Sequence, residues 1–150
     1  MPEHRRLRVF IIDDNEMTRS LLRVIIQGDD YDVVGDAATA ESARLRLRSI
    51  RADIICLDVV MPDGDGLALL NWIREEQPDA VVLMVTASAE RSTVEQALRN
   101  GAKAYIVKPF KPGVVMDTLD KLALQREARG AAPARARPAA AGLDRPPGES

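Results

Sequence analysis

Between residues 9 and 16 the chain reads VFIIDDNE, an apolar run that ends abruptly in two adjacent carboxylates, Asp13 and Asp14, with Glu16 close behind. A run of this kind, short and rich in β-branched residues, is a buried strand. Two acids at its end repel each other and resist desolvation, so they need a partner from elsewhere in the chain. The same texture recurs. Five apolar runs stand out: Arg8 to Ile12, Tyr31 to Val34, Ile54 to Leu57, Val81 to Val85 and Ala104 to Val107.

Between the runs the apolar residues take helical spacing. Met17, Leu21 and Ile25 share one face, as do Ala40, Ala43, Leu47 and Ile50; Leu69 pairs with Ile73, Val94 with Ala97 and Leu98, and Val115 with Leu119 and Leu122. The punctuation fits. Gly28 and Gly101 are placed for left-handed C-terminal caps, Thr39 for an N-cap with Glu41 in the first turn, Pro78 ends the third helix, and Pro112 suits the first turn of the fifth. The expectation is an α/β fold of five βα units, with continuous apolar strands in a parallel sheet covered on both faces. Five units make an open, doubly wound sheet rather than an eight-stranded barrel. Ligands of such sheets bind beyond the C-terminal ends of the strands.

Composition limits the possibilities. The chain has 150 residues, 46% hydrophobic and 29% charged, enough for one well-buried core. After Ala128 the sequence becomes RGAAPARARPAAAGLDRPPGES, too poor in large apolar residues to repay ordering, so residues 129–150 are expected to form a disordered Ala/Pro/Arg-rich tail behind a domain of residues 1–128. This tail carries four arginines against two acids, and because the whole chain is at −2, the body is at −4. An acidic body argues against nucleic acid as a partner. No apolar run approaches the roughly 20 residues of a spanning helix, which argues against a membrane and for a cytoplasmic protein. The single cysteine, Cys56, sits among apolar residues, so neither a disulfide framework nor a cysteine metal cluster is expected.

A parallel sheet gathers at one edge the residues just beyond each strand: Asp13 and Asp14 after the first, Asp58 after the third, Thr86 and Ala87 after the fourth, and Lys108, Pro109 and Phe110 after the fifth. Three carboxylates in a small volume call for a cation, and oxygen-only ligands partly open to water suit Mg²⁺. Asp58 is then a nucleophile, and Lys108 and the Thr86 hydroxyl can contact an incoming phosphoryl group. The acidic pair DD, the stretch LDVVMPDGDG around Asp58, TA at Thr86 and Ala87, NGA at Asn100 to Ala102 and KPF at Lys108 together resemble the receiver domain of bacterial two-component response regulators, over about Leu7 to Gln125. A phosphatase on a related sheet would want D-x-D after the first strand, and flavin binding a hydroxyl- and glycine-rich loop there; DDNE fits neither.

The resemblance implies a flavodoxin-like sheet of order 2-1-3-4-5 and a single-domain, chemotaxis-regulator-like switch without its own effector. Asp58 would be the phosphoacceptor for a sensor histidine kinase or phosphotransfer protein. Asp14, Asp58 and the Val60 carbonyl would ligate Mg²⁺, with Asp13 acting through a water. Lys108 and Thr86, with Ala87 beside it, would serve the phosphoryl group; the Lys108–Pro109 bond would be cis. Tyr105 would be the switch aromatic, and the fourth helix, fifth strand and fifth helix, about Ser88 to Leu124, the face that controls a partner protein or forms a dimer. Val60 and Ser88 would tune phosphate lifetime, and apolar Val60 points to slow dephosphorylation. His4 has no assigned role, and Trp72 is expected at the surface or in packing of the third helix.

Overall fold

A computed structural model describes residues 5–61, 64–87 and 91–130; the tail from residue 131 on, His4 and Ser88 lie outside these. The order of elements is β1 (Leu7–Ile12), α1 (Glu16–Ile26), β2 (Tyr31–Ala37), α2 (Ala40–Leu47), β3 (Ile54–Leu57), β4 (Val60–Met61), β5 (Gly64–Asp65), α3 (Gly66–Glu76), β6 (Val81–Thr86), α4 (Arg91–Arg99), β7 (Ala104–Val107) and α5 (Pro112–Ala128). The five longer strands pair in parallel in the order β2-β1-β3-β6-β7, the expected 2-1-3-4-5 arrangement. Continuous burial of β3 and β6 follows from their central position, whereas edge strand β2 alternates between buried and half-buried residues.

Strand alternation divides the core in two. Phe10 and Ile12, Ile55 and Leu57, and Val82 and Met84 point to one face, where Ala43 and Leu47 of α2 and Leu69, Leu70 and Ile73 of α3 cover them. Trp72, half-buried, packs at the margin of this layer. Val9 and Ile11, Ile54 and Cys56, and Val81, Leu83 and Val85 point to the other face, under Leu22 and Ile26 of α1 and Val115, Leu119 and Leu122 of α5. Burial pushes the Cys56 thiol up to about 12, which makes it a packing residue.

The helix boundaries follow the local chemistry. Asn15 caps α1 by accepting from the Thr18 N–H, Thr39 caps α2 by accepting from the Ser42 N–H, and Pro112 opens α5. Gly101, at φ 116°, takes the left-handed turn after α4, and a Cβ there would collide with the Arg74 side chain. Gly66 is needed for another reason: a Cβ would run into the backbone of Val59, where the β4–β5 hairpin folds back beside the end of β3.

Two expectations need correction, and one element is new. Gly28 is not a left-handed cap: Gln27 ends α1 in extended conformation, and Gly28 donates its N–H to the Tyr31 carbonyl as the chain enters β2. The face of α1 carrying Met17 and Leu21 is turned to solvent, with Met17 81% exposed, while Leu22 and Ile26 go to the core. Burying two large side chains completely is worth about 2 kcal/mol each and settles the rotation of a helix that is apolar on more than one side. The short β4–β5 hairpin was not anticipated, because two-residue strands leave no periodic signal.

Candidate functional site

The sheet ladder continues past the strands and sets the site. The Asp13 N–H donates to the Ala37 carbonyl of β2, and the Asp58 N–H donates to the Ile12 carbonyl of β1, so both acids leave the same edge side by side. Lys108 follows β7 and is anchored through its N–H to the Thr86 carbonyl; its peptide bond to Pro109 is cis, as the resemblance implied. Three strands thus deliver three side chains to one point.

Lys108 Nζ lies 2.7 Å from Asp13 Oδ2 and 3.1 Å from Asp58 Oδ2. The other oxygens are held by the backbone: Asp13 Oδ1 accepts from the Asn15 N–H at 2.8 Å and Asp58 Oδ1 from the Val60 N–H at 2.9 Å. Asp13 and Asp58 are buried and Asp14 is exposed. Burial pushes the Asp58 carboxyl above its usual range, aided by the Asp13 charge, while the Val60 N–H and the Lys108 ammonium pull it back. Burial alone would depress Lys108, but the close carboxylates of Asp13 and Asp58 outweigh it and keep the ammonium charged.

The charges do not balance. Oxygens of Asp13, Asp14 and Asp58 lie within 4.8 Å of one another, and among the described residues one ammonium, that of Lys108, pairs with two of them, Asp13 and Asp58. Asp13 Oδ2 is a buried oxygen whose contact with Lys108 is an ion pair without hydrogen-bond geometry. Clustered carboxylate oxygens with a spare acceptor fit a small, hard divalent cation. They border an open cleft of about 410 Å³ lined by Asp14, Asn15, Asp58, Val60, Ala87 and Lys108.

Of the residues expected at the site, Asp13, Asp14, Asp58, Val60, Ala87 and Lys108 converge here. Thr86 is fully buried at the end of β6 and is not among the walls of the cleft. Tyr105 lies apart and half-exposed, in a groove of about 310 Å³ with Arg91, Val94, Glu95, Leu98 and Val107 between α4 and β7. Two contributors went unnoticed in the sequence. Asn15 walls the cleft while capping α1, which its place after DD and before an apolar helix could have signalled. Arg19 donates to the Asp13 carbonyl at 2.7 Å and carries no motif of its own.

An open parallel sheet with an acidic cluster, a lysine and a cleft at its C-terminal edge makes this a flavodoxin-like, doubly wound fold. The family model of the response regulator receiver domain matches residues 9–120. The chemotaxis protein CheY of Listeria monocytogenes is 35% identical over 117 residues, 78% of this chain and 98% of that protein, and the CheY of Thermotoga maritima is 33% identical over 77% and 96%. Among solved structures, a CheY-like receiver domain from Methanospirillum hungatei superposes with a TM-score of 0.78 at 26% identity, covering 84% of this chain and all of that one. The CheY of a Borrelia burgdorferi CheX–CheY–BeF₃–Mg²⁺ complex superposes at 0.73 with 30% identity, over 77% and 88%. The chain belongs to the response regulator receiver family, whose members signal through phosphorylation. No helix among the described residues is long and apolar enough to cross a membrane.

Proposed function

We propose that the chain is a cytoplasmic response regulator receiver in which Asp58 accepts a phosphoryl group from a phosphohistidine of a sensor kinase or phosphotransfer protein. The observation that carries this is the Asp58 carboxylate itself: buried at the end of β3, held at one oxygen by the Val60 N–H and at the other by Lys108, yet part of the wall of an open cleft. A carboxylate oxygen forms the bond to phosphorus as the bond from phosphorus to the imidazole nitrogen breaks, with the electron pair leaving on the imidazole. The Lys108 ammonium and the Val60 N–H favour the carboxylate form of Asp58, the form that attacks. Transfer of this kind depends on positioning and charge neutralisation.

Asp14, Asp58 and the Val60 carbonyl are the candidates to hold Mg²⁺, with Asp13 contributing indirectly. Bound there, Mg²⁺ would offset the negative charge that three carboxylates and a phosphoryl group bring together. Lys108 exchanges its contact with Asp13 for the phosphoryl oxygens, and the Thr86 hydroxyl supplies one further hydrogen bond. The product adds about −1.5 to −2 charge and three acceptor oxygens, which draw Thr86 and the loop after β6 toward it. Tyr105 follows inward from its half-exposed groove and reshapes the face of α4, β7 and α5 for a partner protein. Carrying such a switch from about 1:99 to 99:1 takes roughly 5.5 kcal/mol, within reach of several charge-assisted hydrogen bonds.

Incubation with Mg²⁺ and a small phosphodonor, followed by intact-mass measurement, tests the reading. Wild type gains one phosphoryl group and Asp58→Asn gains none. An undiminished adduct on Asp58→Asn, or none on wild type, overturns the assignment.

A further inference from the structure

The inner face of α1 carries an arginine. Arg19 stands three and seven residues before Leu22 and Ile26, so it shares the helix face that packs on the sheet, and its side chain is only 17% exposed. Its guanidinium emerges at the C-terminal edge of the sheet. There Nη1 donates to the Asp13 carbonyl at 2.7 Å, and Nε donates to Asp36 Oδ2 on β2 at 3.3 Å. Arg23, one turn on, reaches the same Asp36 oxygen at 3.9 Å, so two cations of one helix flank that carboxylate.

The carbonyl held by Arg19 belongs to the peptide that joins Asp13 to Asp14. That unit is planar, so fixing its oxygen fixes the direction in which the chain enters Asp14. The preceding peptide is held as well, by the Asp13 N–H on the Ala37 carbonyl of β2. Both anchors lead to the last residues of one strand, Asp36 and Ala37. A surface arginine donating at random would not be largely covered on the packing face of a helix, nor bridge two strand ends. We infer that Arg19, held by Asp36, is a positioning residue that orients the Asp13–Asp14 peptide and so sets the acidic pair for a divalent cation.

This inference rests on the metal reading of the site, and a charge argument gives it an opposite-signed rival. An arginine acting only through its charge would repel the cation, so its removal would strengthen binding. An arginine acting as a strut would have the reverse effect, because two misaligned carboxylates bind worse than two aligned ones. Lysine separates the two roles: it keeps the charge, but one ammonium cannot reproduce the planar fork that reaches both the carbonyl and Asp36.

Calorimetric titration of the metal-free protein with MgCl₂, for wild type, Arg19→Lys and Arg19→Gln, decides between them. The expected result is saturable binding by wild type and roughly tenfold weaker binding by both variants, the low end of the range for residues that orient metal ligands. Wild-type affinity in Arg19→Lys, or tighter binding in Arg19→Gln, overturns the inference while leaving the site intact. No saturable uptake by wild type overturns the metal reading itself, a separately recognisable outcome. Thermal melting without metal accompanies each titration: a lower melting temperature with unchanged affinity assigns Arg19 to the fold alone and overturns the inference.

Discussion

The two ends of the sheet treat buried charge in opposite ways. At the N-terminal end, Asp53 is fully buried and both its oxygens are engaged, Oδ1 by Arg126 Nη2 at 2.8 Å and Oδ2 by the Arg8 N–H at 2.8 Å. Arg126 spends its Nε on the Asp79 carbonyl. Gln77 nearby accepts from the Ala52 N–H and donates to the Leu47 and Ile50 carbonyls. At the C-terminal end, Asp13, Asp14 and Asp58 crowd together, Lys108 pairs with Asp13 and Asp58, and Asp13 Oδ2 is left without a directed hydrogen bond. Saturated charge at one end ties the last turn of α5 to the sheet. Unsaturated charge at the other keeps acceptor capacity for something outside the chain, at some cost to stability.

The largest expected effect tests the saturated end. Arg126→Ala removes the ion pair of buried Asp53 and should lower unfolding free energy in urea by about 3–5 kcal/mol. Replacing both partners with apolar residues, Asp53→Leu with Arg126→Met, should recover most of that loss, although the Arg8 N–H then goes unpaired. A double variant as unstable as Arg126→Ala would mean that the pair does more than satisfy itself.

Tyr31, also at this end, donates its hydroxyl to Asp120 on α5 at 2.6 Å. Tyr31→Phe should cost about 1.5 kcal/mol, as expected for a hydrogen bond to a charged group. Burial, followed by the hydrogen bond and charge of Asp120, raises the pKa of this phenol above its ordinary value of 10.0. The folded state therefore holds the proton more tightly than the unfolded one. Its contribution is fully present below pH 10 and is lost as pH rises beyond it, by up to about 1.4 kcal/mol per pH unit. Alkaline urea titrations of wild type should steepen above pH 10, and those of Tyr31→Phe should lack that component.

The smallest effect belongs to the unsaturated end. Asp13→Asn removes one of three mutually repelling carboxylates and should raise metal-free stability by about 1 kcal/mol, the usual gain when a strained functional group is relieved. A loss as large as that of Arg126→Ala would abolish the contrast between the two ends.

The strands were legible because both-sided burial writes continuous apolar runs into the sequence, their order in the sheet only through the resemblance, and the acids, Thr86 and Lys108 at their ends could be read as a set. Thr39, Pro112 and Gly101 were legible through local rules of capping and turn conformation. The orientation of α1 was not. Met17, Leu21, Leu22, Val24, Ile25 and Ile26 offer more than one apolar face, and the preferred one depends on what the sheet presents.

Local chemistry, then, was enough to specify five βα units and to gather the acidic pair, Asp58 and Lys108 at one edge, because periodicity and parallel topology require no knowledge of distant neighbours. The pairing of Asp53 with Arg126, the turn of α1 that buries Arg19 beside Asp13 and Asp36, and the separation of Tyr105 from the cleft were decided only by tertiary packing. These depend on which side chains meet across gaps of 17 to 73 positions, and their energies exist only once the helices are seated on the sheet.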